Sequence, residues 1–71
     1  MGREWANPFR IGSQNYRILE RLRLGPITNY QIVKWFGVLK YTGRLAEIRK
    51  AGYKILATKI KGGVWSYQLI Q

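Results

Sequence analysis

The sequence predicts an α+β domain in which three helices are followed by a C-terminal β-hairpin. Three observations carry that expectation. Apolar residues recur at helical spacing in three stretches ahead of Gly52. Gly25-Pro26 and Gly37 divide those stretches, as helix stops do. Beyond Gly52 the pattern becomes β-branched and aromatic, in "YKILATKI" and "VWSYQLI", with Gly62-Gly63 between them. A chain of 71 residues accommodates one domain.

Residues 1–12, "MGREWANPFRIG", have no period and are interrupted by Pro8 and Gly12. They are expected to form a flexible N-terminal arm, with Trp5 and Phe9 as the residues that could dock on the body formed by 13–71. Ser13 is a good N-cap for the first helix. Its apolar side is Tyr16, Ile18, Leu19, Leu22 and Leu24, and its other side is Arg17, Glu20, Arg21 and Arg23. Thr28 and Gln31 have the spacing of a capping box, which starts the second helix near Asn29. Ile32, Val33 and Phe36 form its inward face, and Gly37 closes it. The third helix, 40–51, ends at Gly52 and carries Tyr41, Leu45 and Ile48 on one side.

If Gly62 and Gly63 are the two central residues of the hairpin turn, counting outward sets the register. Leu56, Ile60, Trp65, Tyr67 and Leu69 then share a core face, and Lys59, Lys61, Ser66 and Gln68 share a wet one. Ile55 and Ile70 fall on the wrong side in this count, which a bulge or a longer loop could correct.

Three helices and then a hairpin, with a tight Phe36-Gly37-Val38 connection, is the layout of a winged helix-turn-helix. The stretch "ITNYQIVKWFGVLKYTGRLAEIRKAGYKI", residues 27–55, resembles the small helix-turn-helix domain proteins encoded by phages and prophages. The matching positions are Ile27, Thr28, Phe36, Gly37, Arg44, Leu45, Ile48, Arg49, Ala51, Gly52 and Ile55, with Tyr67 and Leu69 resembling the closing strand. The resemblance implies a winged-helix, DNA-binding fold but no particular target. Gly43 departs from it where alanine is expected, and Trp35 where a charged or polar residue is expected.

Composition excludes several functions. The chain has no cysteine and no histidine, and its three carboxylates, Glu4, Glu20 and Glu47, are far apart. That inventory supplies no acid–base pair or nucleophile, so no enzyme, metal or cofactor is expected. Thirteen Lys and Arg against three Glu give a net charge of +10, which attracts polyanions. Nucleic acid is the expected polyanion. No segment approaches the roughly 20 apolar residues of a membrane span. The start lacks both a signal-peptide core and a myristoylation motif. The expected location is the cytoplasm, on the nucleoid (host cytoplasm if phage-encoded), with no membrane and no small-molecule ligand.

The expected function is double-stranded DNA binding, in transcription regulation or another DNA transaction of a phage or mobile element. Helix 40–51 would enter the major groove, and the hairpin would lie on the backbone. The candidate DNA-binding residues are Lys40, Tyr41, Thr42, Gly43, Arg44, Glu47 and Lys50 on or beside the third helix, Lys34 on the second, and Lys59 and Lys61 on the hairpin. A minimal turn after Gly37 would bury Gly43 and Ala46. The large apolar residues are instead Leu45 and Ile48, so the connection reads as longer and Gly43 moves to the outer strip. There it either lets the backbone approach bases in a groove about 12 Å wide or is merely tolerated in the first turn. Arg44 and Lys40 flank that strip and could reach base edges or phosphates, and Thr42 a phosphate or thymine methyl. Glu47 either accepts from a cytosine or pairs with Arg44 or Lys50. Arg49 is expected to pack its stem and pair with Glu20. Trp35 suggests protein contact or self-association, or else packing beside Phe9 or Trp5. Two alternatives stand beside DNA binding: docking on a polymerase or other protein, and binding of single-stranded nucleic acid.

Overall fold

The computed structural model describes residues 6–70. The chain is α+β. In order it forms α1 (Gln14–Leu24), β1 (Ile27–Thr28), α2 (Asn29–Phe36), α3 (Tyr41–Lys50), β2 (Lys54–Lys61) and β3 (Val64–Ile70). The strands make one antiparallel sheet in the order β1-β3-β2.

The first two helices start where their caps dictate. Ser13 Oγ accepts the Tyr16 amide at 3.1 Å. At α2 both halves of the capping box form: Thr28 Oγ1 accepts the Gln31 N–H, and Gln31 Oε1 accepts the Thr28 N–H at 2.9 Å. Such caps stabilise a helix by about 1 kcal/mol. Gly37 ends α2 at φ +65°, where a side chain would be strained, and its N–H reaches Val33 O at 2.9 Å. Four residues, Gly37 to Lys40, then join α2 to α3, with Val38 buried and Leu39 exposed. This longer connection sets the phase of α3, so that Leu45 and Ile48 are buried while Gly43 and Ala46 are exposed.

The core lies between the helices and one face of the sheet. Ile18, Leu19 and Leu22 of α1, Ile32 of α2, Leu45 and Ile48 of α3, and Ile27 are essentially removed from solvent. Burying each such side chain contributes roughly 1.5–3 kcal/mol. Leu24, expected on the apolar side of α1, is exposed because it occupies the helix's final position before Gly25.

The hairpin register corrects the expected one. Lys61 pairs with Val64 across the Gly62-Gly63 turn, but Ile60 is an extra residue in a bulge. From there inward Lys59 faces Trp65, Ala57 faces Tyr67 and Ile55 faces Leu69. The inner face of β2 is therefore Ile55, Ala57 and Lys59, not Leu56 and Ile60, which are 51% and 55% exposed. The bulge displaces the period-two pattern of one strand by one residue and leaves β3 as expected, with Tyr67 and Leu69 buried. Ile70 remains on the exposed side.

A third strand was not expected, whereas the docking of Phe9 was, though not the hydrogen bonds that tie residues 6 and 7 down. Ile27 and Thr28 form a third strand against Tyr67 and Ser66, while Thr28 also caps α2. Residues 6–12 form no helix or strand, yet they are tied to the body. Asn7 Nδ2 donates to Tyr16 O at 3.2 Å and Glu20 Oε2 at 3.0 Å, Tyr53 Oη donates to Ala6 O at 2.7 Å, and Phe9 packs on the core. Trp5 lies outside the described residues. Among the described residues no helix is long and apolar enough to cross a membrane.

Candidate functional site

The exposed side of α3 carries Thr42, Gly43, Ala46, Glu47 and Lys50, with Lys40 just ahead of the helix. Its centre is formed by small residues. A Cβ on Gly43 would meet nothing within 4 Å, so the position is open to whatever lies against the helix. The N-terminus of α3 differs from those of α1 and α2. Lys40 occupies the N-cap position with no side-chain capping bond, so the first amides of this helix lack the side-chain partner that Ser13 and Thr28 supply elsewhere.

Arg44 and Glu47 stand on the flank of α3 beside α1. Arg44 Nε donates to Gln14 Oε1 at 3.1 Å, and its Nη1 donates to Glu47 Oε1 at 3.2 Å. Asn15 Nδ2 donates to the same carboxylate oxygen at 2.8 Å. The Asn15 amide first, and Arg44 second, hold the Glu47 carboxyl below its ordinary pKa of 4.5. Of the two intrinsic roles weighed for Glu47, the structure contains the pair with Arg44.

Tyr41 is half-buried, packed against the core at the start of α3 and lining the space between α3 and the hairpin. Its ring lies 6.3 Å from that of Tyr67, and its hydroxyl accepts from Asn29 Nδ2 at 3.4 Å. The register turns Lys59 toward the helix side of the sheet, opposite Trp65, and sets Lys61 beyond the bulge, opposite Val64. The two lysines therefore do not share a face as counted from the turn. Lys34 is exposed in the last turn of α2, four residues after Tyr30, whose hydroxyl lies against Gly63. Arg49 does not place its head where expected: its Nη2 donates to Ile55 O at 3.0 Å, linking α3 to β2.

Asn29, which sequence reasoning passed over, fixes the hairpin to the helices. It is 6% exposed. Its Oδ1 accepts the Trp65 N–H and its Nδ2 donates to Gly63 O, each at 2.9 Å. No periodic signal could have found it, because its partners are backbone atoms more than thirty residues away. Between α3 and the hairpin this arrangement leaves a groove of about 280 Å³, lined by Tyr41, Thr42, Leu45, Arg49, Ala57, Trp65 and Tyr67. Trp65, expected beneath the hairpin, is 37% exposed here.

The cations divide by type. Arg17 stacks on Phe36 and Arg21 on Trp35, with guanidinium carbons 5.3 and 5.4 Å from the ring centroids. Arg23 pairs with Glu20. Arg44 and Arg49 are engaged as described above. Arginine thus ties α1 to α2 and α3 to its neighbours. Lys34, Lys40, Lys50, Lys54, Lys59 and Lys61 are exposed, and none of them pairs with a carboxylate among the described residues. All six belong to α2, α3 with its leading residue, and the hairpin; α1 has none. Trp35 is 47% exposed beneath Arg21, on the α1–α2 side.

Three helices and a three-stranded antiparallel sheet, with a polar, cationic surface on the last helix and the hairpin, define this chain structurally. Comparison with protein-family models, with curated proteins and with solved structures gave no match.

Proposed function

We propose that the chain is a winged-helix protein that binds double-stranded DNA, with α3 in the major groove and the β2–β3 hairpin as a wing on the backbone. The observation that carries this reading is the placement of the lysines. Six exposed ammonium groups, without carboxylate partners among the described residues, lie on α2, α3 with its leading residue, and the hairpin, while Arg17, Arg21, Arg23, Arg44 and Arg49 make contacts within the fold. A phosphate backbone is the polyanion whose repeating charge such a spread suits. The small outer strip of α3, with Gly43 and Ala46 at its centre, supports close approach to base edges. Its uncapped first turn supports a phosphate contact. The resemblance of residues 27–55 to phage and prophage helix-turn-helix proteins supports the DNA-binding reading, and transcription regulation or another DNA transaction of a mobile element is the setting we propose for it.

A salt titration of duplex binding tests the reading. The log of affinity should fall with log salt by about 0.9 for every phosphate engaged. A flat dependence overturns it. Trp35 favours a second reading, docking on another protein, since a half-exposed Trp beneath an Arg is the composition of an interface anchor. Full function after charge removal at Lys40, Lys50, Lys59 and Lys61 would select that reading instead.

A further inference from the structure

We propose that the groove between α3 and the hairpin receives a single unstacked base of the bound DNA, so that the protein prefers duplexes carrying an unpaired nucleotide. This rests on the DNA-binding reading and names the substrate class within it. At about 280 Å³ the groove has room for one ring system. The groove is open on one side rather than enclosed, which suits a base still tethered to an anchored backbone.

Its chemistry is that of base capture. Trp65 forms one wall and is open to solvent, with Tyr41 and Tyr67 beside it. Aromatic walls accept any base through its π-face. Thr42 and Arg49 line the α3 side; Thr42 offers a hydroxyl, and Arg49, with Nη2 held by Ile55 O, offers its remaining guanidinium N–H groups to the polar edge of a base. Lys59 stands opposite Trp65 on the same face of the sheet, where an ammonium group meets the phosphate attached to that base. Ala57 supplies the floor from β2, and its small side chain keeps the space open.

The experiment compares a fully paired duplex with the same duplex carrying one unpaired 2-aminopurine, by affinity and by the emission of that base. The wild-type chain should bind the second about tenfold more tightly and quench its emission on stacking. Trp65→Leu should abolish the quenching and bring the ratio of the two affinities to one, whatever it does to paired-duplex binding itself, while Trp65→Phe, which keeps a ring, should restore part of each. Ala57→Leu fills the groove without removing a wall and should act as Trp65→Leu does, which covers the case where loss of the indole unfolds the hairpin. Equal affinity for the two duplexes with no quenching overturns the inference and leaves the DNA reading standing. Absence of salt-dependent binding to either duplex overturns both.

Discussion

The Asn29 side chain accepts the Trp65 backbone N–H at 2.9 Å, and through this contact of a buried side chain the start of α2 sets where the hairpin stands. Its amide nitrogen holds Gly63 O at the same distance, so one side chain fixes both the turn and the strand that leaves it. Asn29→Ala removes the partner of the half-buried Trp65 N–H and Gly63 carbonyl and should destabilise the fold by about 1–2 kcal/mol, read by urea denaturation. Asn29→Asp keeps the acceptor and loses the donor, and should fall between the two. Amide exchange at Trp65 should quicken in both variants.

Glu47 restrains Arg44, the arginine that the proposed reading sets at the major groove. Its carboxylate accepts from Arg44 and Asn15, and it is the one described acidic side chain on α3. Glu47→Gln should raise duplex affinity about threefold by freeing Arg44 and removing a repulsive charge, an effect that salt diminishes. Arg44→Ala should weaken binding to a selected sequence much more than to random DNA; equal loss would assign Arg44 to phosphate. The pH dependence follows from the lowered Glu47 pKa. Its contacts are fully formed above the ordinary value of 4.5 and are lost as pH falls through the lower folded value, which releases Arg44 at acid pH.

Gly43→Ala separates tolerance from purpose. The added methyl meets open space and the backbone there is helical, so stability should rise by up to about 1 kcal/mol. Duplex affinity should fall if the helix backbone lies close to the bases. Thermal melting and band shifts on one preparation distinguish the two, and unchanged binding would show that the glycine is only tolerated.

Tyr67 contributes to the loss of stability at alkaline pH. Burial, with a smaller contribution from Tyr41 and against the pull of Arg49, raises its phenol above the ordinary pKa of 10.0. A raised folded value means that its stabilisation is intact below pH 10.0 and declines as pH climbs toward that folded value. Tyr67→Phe should flatten this part of the stability profile, measured by melting across the alkaline range. A profile identical to wild type would assign the alkaline loss to another group.

What the sequence made legible was what local chemistry determines. Ser13, the Thr28–Gln31 box and Gly37 mark the ends of α1 and α2 because each acts on backbone groups within four residues of itself. Leu45 and Ile48 revealed the longer connection ahead of α3 because helical phase is a local property. The features that stayed hidden depend on distant partners. β1 exists because Tyr67 and Ser66 lie beside Ile27 and Thr28. Asn29 is identifiable only once the hairpin turn is folded against it. The groove is a product of the distance between α3 and β3, and Trp65 reads as core until that distance is known. The candidate lysines were legible one by one, but the segregation of arginine from lysine was not, since Arg17 and Arg21 find their rings on another helix.

The bulged Ile60 gives β2 a seam. On the near side, every second residue answers to the interior, and a slip of one position would expel Ile55 from it. On the far side, Lys61 and the two glycines keep a separate alternation that owes nothing to the interior. Substitutions at the tip can therefore change what the hairpin touches without renumbering what the helices rest on, and a single inserted residue has made one strand into two independently adjustable surfaces.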